Sequence, residues 1–164
     1  MKVLLAQHGE ATSKEEDPDR PLTEQGREDV ERVAAFLGNA GVSAVRALHS
    51  GKTRARQTAD ILTRRLRTGS DPELHPGLGP NDPVEPLARE IGHWDESTLV
   101  VGHLPFVALL TGQLVTGHSA VAVNSYRPGA VACLEKTPTG GWAITWMIRP
   151  DLLVVSPSPA GRRY

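Results

Sequence analysis

His8, Arg54 and His103 each stand just after a short apolar run. Val3-Leu4-Leu5-Ala6 leads into Gln7-His8-Gly9-Glu10. Leu48-His49-Ser50-Gly51 leads into Lys52-Thr53-Arg54, and Leu99-Val100-Val101-Gly102 into His103-Leu104-Pro105. If the three runs are neighbouring parallel strands, their carboxyl ends open on one side of a sheet, where open α/β sheets bind their ligands. Two imidazoles and a guanidinium meeting there are the equipment for handling a phosphoryl group.

Each residue type suits a distinct task. A neutral imidazole is a nitrogen nucleophile at physiological pH, so His8 could attack phosphorus and carry the group as phosphohistidine. Gly9 beside it would let a ligand approach the backbone closely. Arg54, in the first turn of a helix, can grip phosphate oxygens in a bidentate manner near N–H groups that favour anions. His103 can donate to a non-bridging oxygen as charge builds there. Taken singly, His8 and His103 also fit hydrogen-bonded histidines at a sheet rim. His49 and Lys52 could face the same site, although a surface role suits both, and Arg56 reads as a solvated charge. His75, His93 and His118 lie in loop-like sequence without an i, i+4 partner, so no metal site is expected. There is no Gly-x-Ser-x-Gly elbow. Ser50-Gly51-Lys52-Thr53 lacks the upstream glycine of a nucleotide-binding P-loop.

These residues need a scaffold. Residues 2–6 read as a strand buried on both faces, and residues 10–20 as a polar loop. Thr23 is the expected N-cap of a helix whose Val30, Val33, Ala34 and Leu37 share one face. A strand over 44–48 follows, then a helix capped by Ser50 with Ala55, Ala59, Leu62 and Leu66 facing inward. Residues 67–83, rich in Gly and Pro, leave room for a short strand near Glu73–His75. A modest helix over 84–91 comes next, then a strong strand over 97–101. The helix over 106–115 is apolar nearly all round and is expected to be buried. Strands over 129–136 and 141–148, joined through Thr137-Pro138-Thr139-Gly140-Gly141, form a closing hairpin. Alternating strands and helices predict a three-layer α/β/α fold with a mostly parallel central sheet. We expect a single domain over 1–155 and a mobile tail over 156–164.

Composition narrows the partners. Eighteen Lys and Arg against nineteen Asp and Glu give a net charge of −1, which suggests neither nucleic acid nor an anionic membrane. No apolar run approaches the roughly 20 residues that span a bilayer, and no secretory signal is evident. The single cysteine, Cys133, sits in an apolar run and reads as a buried structural residue. A cytoplasmic protein is expected.

The motifs, in this order, resemble the histidine phosphatase (phosphoglycerate mutase-like) superfamily, and more closely its small SixA-type phosphohistidine phosphatases. The matching pieces are Gln7-His8-Gly9-Glu10-Ala11, Arg20-Pro21-Leu22-Thr23 with Gly26, Ser50 with Arg54-Ala55-Arg56-Gln57-Thr58, and Gly102-His103-Leu104-Pro105. The resemblance implies a phosphoglycerate mutase-like fold, His8 as phosphoryl acceptor, Arg54 and His103 completing the pocket, Arg20 reaching the phosphate, and no metal or other cofactor. It implies a phosphorylated substrate, either a protein phosphohistidine or a small phosphoester. Larger relatives insert a helical cap after the second helix; the short segment here predicts an open, shallow site. Asp82 is the best-placed candidate proton donor by sequence order, with Glu85 behind it, and a solvated loop carboxylate is the alternative for both. The departure from the family is Gln7, which stands where relatives have arginine. Glutamine can still donate one amide hydrogen bond to the substrate but carries no charge. That loss costs roughly 1.5–3 kcal/mol, and it admits a member that binds phosphate with weak or no turnover.

Overall fold

Five consecutive apolar or neutral positions after Lys2 build β1 (Lys2–Gln7), the inner strand of a six-stranded sheet ordered β3-β2-β4-β1-β5-β6. The computed structural model describes residues 1–154. The remaining elements are α1 (Glu24–Asn39), β2 (Arg46–His49), α2 (Thr53–Leu66), β3 (Glu73–Leu74), α3 (Glu85–Gly92), β4 (Thr98–Gly102), α4 (Phe106–Thr116), β5 (Val131–Lys136) and β6 (Trp142–Ile148). A short 3-10 turn, Pro150–Leu153, follows β6. β3, β2, β4 and β1 run parallel; β5 and β6 run antiparallel as the closing hairpin. The expected tail over 156–164 lies outside the described residues.

Alternation of side chains along the strands splits the core into two layers. Leu4, Ala6, Leu99, Val101, Val131 and Cys133 face α1 and α2. Val3, Leu5, Val100, Ala132 and Leu134 face α3 and α4. The three-layer architecture follows, with the carboxyl ends of β1, β2 and β4 at one edge. Burial pushes the Cys133 thiol upward, away from the reactive thiolate, as its apolar neighbours implied.

Helix α1 starts where the sequence predicts: Thr23 is extended and its hydroxyl accepts from Gly26 N at 2.9 Å. The start of α2 is different. Its N-cap is Lys52, without a side-chain cap, and the Ser50 hydroxyl is instead 2.6 Å from His103 Nε2. Helix α4 is not sealed all round. Phe106, Val107, Leu110 and Leu114 face the sheet, while Leu109 is 37% exposed because the helix lies in an outer layer. No helix among the described residues is long and apolar enough to cross a membrane.

Candidate active site

The register that pairs Gln7 with Gly102 and His49 with Val101 places the residues after β1, β4 and β2 side by side. His8 N donates to Gly102 O at 3.0 Å, locking the first histidine against the end of β4. The rings of His8 and His103 meet edge to face, with centroids 4.9 Å apart and planes at 60°. Arg54, in the first turn of α2, points its Nε at His8 Nε2, 3.2 Å away. His8 thus touches both of the other residues that the sequence reads as one site with it.

The protonation state of His8 follows from its two nitrogens. Nδ1 lies 2.7 Å from the Gly9 carbonyl, an acceptor only, so Nδ1 carries the proton. Nε2 therefore holds the lone pair and accepts from Arg54. Burial, then the charges of Arg54 and Arg20, lower the His8 pKa from 6.5 to about 4 against the raising effect of the Gly9 carbonyl. His103 is 2% exposed. Burial first, then His8, Arg54, Lys52 and Arg20, bring its pKa to about 3. Both rings are neutral at physiological pH, one of them with a lone pair available to an electrophile.

Arg20 and Lys52 border the same place. Arg20 adopts a left-handed backbone with φ 49° and donates Nε–H to Thr12 O at 3.0 Å, leaving its terminal nitrogens free of that bond. None of the ion pairs among the described residues involves Arg20, Lys52 or Arg54. Three cations converge without a carboxylate to neutralise them, which is an arrangement for binding an anion. Gln7 is 7% exposed; its Oε1 is buried without a partner among the described residues, whereas Nε2 is the amide atom left free to donate.

Four sequence expectations change. Gly9 is needed for helix packing: a Cβ there would come within 2.8 Å of Val30 Cγ2 and 2.9 Å of Gly26 O. The space that a side chain would fill belongs to α1 and not to a ligand. His49 is buried, because its Nδ1 accepts from Gly51 N at 3.0 Å and closes the end of β2. Asp82 Oδ2 accepts from Gly79 N at 2.7 Å, a turn-forming bond, and among the described residues it makes no hydrogen bond to His8, Arg54 or His103. Ser50 belongs to the site and not to the helix cap.

In the sequence Thr58 appears only as the last residue of the Arg54-Ala55-Arg56-Gln57-Thr58 motif, with no role of its own. It is fully buried; its Oγ1 accepts from Gly9 N at 3.0 Å and donates to Arg54 O at 2.8 Å. One hydroxyl thus ties the loop bearing His8 to the helix bearing Arg54. Gly26 has a similar structural reason, since any Cβ there would collide with the Glu10 carbonyl. Gln57 Oε1 takes Leu22 N at 2.8 Å and anchors the loop that carries Arg20. The segment between α2 and β4 forms β3 and α3, and α3 packs against α4. No helical cap is built from it.

The sequence pattern of the histidine phosphatase superfamily (branch 1) matches residues 3–79. Phosphohistidine phosphatase SixA of Escherichia coli is 28% identical over 155 residues, covering 92% of this chain and 94% of that protein. A structure of the protein histidine phosphatase SixA complexed with tungstate superposes with a TM-score of 0.83 at 27% identity, covering 94% of this chain and all of that one. The chain is similar to members of the histidine phosphatase superfamily in sequence over residues 3–79 and in fold over most of its length. The fold likeness extends to more distant structures. A phosphoserine phosphatase from Entamoeba histolytica superposes with a TM-score of 0.71 at 13% identity, covering 93% of this chain and 99% of that one.

Proposed function

We propose that the protein is a metal-independent phosphatase that works through phospho-His8, with a phosphohistidine on another protein as its preferred substrate. The observation that carries this reading is the state of His8. A neutral ring with Nδ1 anchored and Nε2 unprotonated lies beside Arg54 and Arg20, neither in an ion pair among the described residues.

A phosphoryl dianion is a better acceptor than an imidazole nitrogen, so its arrival draws the Arg54 guanidinium off His8 Nε2 and onto phosphate oxygens. The freed lone pair attacks phosphorus while the P–N bond of the substrate breaks, its electron pair staying on the substrate ring, which is protonated on its other nitrogen and so leaves as neutral imidazole. Charge on the non-bridging oxygens is met by Arg54, Arg20 and the Gln7 amide. Water then attacks phosphorus, the bond to His8 Nε2 breaks, and inorganic phosphate leaves. The Gly9 carbonyl steadies Nδ1–H throughout and stabilises the positive ring of the phosphorylated state. An uncapped site suits a phosphorylated side chain on a folded partner. It also admits a small phosphoester. Among the described residues no carboxylic acid hydrogen-bonds His8, Arg54 or His103, which favours the phosphoramidate, because a P–N bond needs less acid assistance than an ester oxygen.

Gln7 supports a second reading, a protein that binds a phosphorylated partner without turning it over. Turnover of a phosphohistidine protein and of p-nitrophenyl phosphate by wild type, His8→Ala and Gln7→Arg separates the readings. The phosphatase reading requires an active wild type and an inactive His8→Ala. Activity surviving in His8→Ala removes the nucleophile assignment. A wild type inert on both substrates but awakened by Gln7→Arg supports the binding protein.

A further inference from the structure

Two leucines stand bare beside the phosphoryl pocket. Leu74, at the carboxyl end of β3, is 66% exposed, and Leu104, the residue after His103, is 41% exposed. Pairing of Leu74 with His49 sets it at the same sheet edge as the site. Its side chain lies across Gly51, where a Cβ would come within 2.8 Å of Leu74 Cδ1. Gly51 in turn adjoins Ser50, whose hydroxyl is 2.6 Å from His103 Nε2. Leu74, Gly51, Ser50, His103 and Leu104 thus form an unbroken line of contacts and bonds along the site, with an exposed apolar residue at each end. Pro105, also exposed, extends the second end. Neither leucine is part of the two core layers, so folding gives little reason for them. Exposed apolar residues scattered singly are ordinary on a protein surface. These two bracket the place where a phosphoryl group must enter.

We propose that Leu74 and Leu104 are docking contacts for the substrate protein, and that the phosphohistidine this site takes is one flanked by apolar side chains. The proposal rests on the phosphatase reading above and names the kind of partner that site selects. A phosphorylated histidine side chain is only a few bonds long, so the backbone that bears it comes down onto the residues around the pocket. Its neighbouring side chains then meet the rim. Apolar neighbours take both leucines out of water, a gain that grows with the area covered. Polar neighbours gain nothing there and lose part of their own hydration. A small phosphoester reaches the pocket without covering the rim, so the two leucines separate a protein substrate from a free ester and one protein sequence from another.

Two peptides of equal length, each phosphorylated on a single central histidine, test it. One carries leucine on both sides of the phosphohistidine and the other carries serine. The quantity read is the ratio of kcat/KM for the leucine-flanked peptide to kcat/KM for the serine-flanked one, in which any damage to the pocket itself cancels. Wild type is expected to give a ratio of about ten. Leu74→Ala and Leu104→Ala should each lower it to about three, and the double variant should bring it within about twofold of one. Because the substitutions truncate exposed side chains, the variants should melt within about 2 °C of wild type. A wild-type ratio near one, or a ratio unmoved in the double variant, overturns the proposal, and turnover of both peptides then leaves the phosphatase reading standing. If neither peptide is turned over, calorimetric titration of the same peptides replaces the kinetics. Tighter binding of the leucine-flanked peptide, lost in the double variant, then removes catalysis and keeps the docking contacts; equal binding of the two removes the docking contacts as well.

Discussion

Replacing Thr58 by valine keeps its shape and deletes one oxygen. That oxygen accepts from Gly9 N and donates to Arg54 O, in a place with no exposure to water. The Arg54 carbonyl retains the helix's own i to i+4 bond, so it loses little. Gly9 N–H has no substitute and becomes a buried, unpaired donor, at a cost of about 1–3 kcal/mol. For a domain of this size each kcal/mol moves the melting temperature by about 2–4 °C, giving a fall of about 2–12 °C. Activity should fall further than stability explains. Gly9 is also the residue whose carbonyl fixes His8 Nδ1 at 2.7 Å, so its loosening lets the nucleophile wander. A misplacement well under 1 Å is expected to lower kcat about tenfold. KM should move less than about threefold, because Arg20 and Gln7 are untouched. Thr58→Ser retains the hydroxyl and should recover most of both losses. Calorimetry and steady-state kinetics on the three proteins decide the matter. The reasoning is refuted if Thr58→Ser behaves like Thr58→Val, which would assign the effect to packing of the methyl group, or if Thr58→Val matches wild type in both assays.

Three further outcomes are expected. In an NMR titration His8 should protonate near pH 4, not 6.5; a midpoint above 6 would contradict the buried, cation-flanked environment. Because its folded pKa is depressed, its share of stability is intact above pH 6.5 and is lost as pH falls toward 4, amounting to about 3 kcal/mol in acid unfolding curves. Gln7→Arg should raise kcat/KM about tenfold by restoring a charge-assisted contact, while lowering the melting temperature of the phosphate-free protein by adding a cation beside Arg54 and Arg20; a folded variant with lower kcat/KM speaks against Gln7 as a phosphate contact. Gly26→Ala should yield little folded protein, since the new methyl meets the Glu10 carbonyl and must push the His8 loop from α1; soluble expression with a wild-type melting curve counts against that packing.

Much of this molecule was legible in the chain because its signals are local. The apolar runs of β1 and β4, the i, i+3, i+4 spacing of Val30, Val33 and Ala34, and the Thr23 cap all act within a few residues, and the structure follows them. The meeting of His8, Arg54 and His103 was readable from their common place after strands. What escaped depends on contacts between distant residues. Ser50 has the local character of a helix cap, but its partner is His103, 53 positions away. Thr58 looks like an ordinary mid-helix threonine until Gly9, 49 positions away, arrives at its oxygen. Gly9 reads as room for a ligand because the helix that crowds it lies far along the chain. Order along the chain favours Asp82 as a donor but says nothing about the turn that occupies its carboxylate.

The central claim is that His8 Nε2 takes the phosphoryl group. Rapid quenching of the enzyme with a radiolabelled phosphoramidate, followed by proteolysis in alkali and phosphorus NMR of the labelled peptide, tests it directly. The account predicts one phosphorylated residue, His8, substituted at Nε2, and no label in His8→Ala. Label at Nδ1, on another residue, or none during measurable turnover contradicts it.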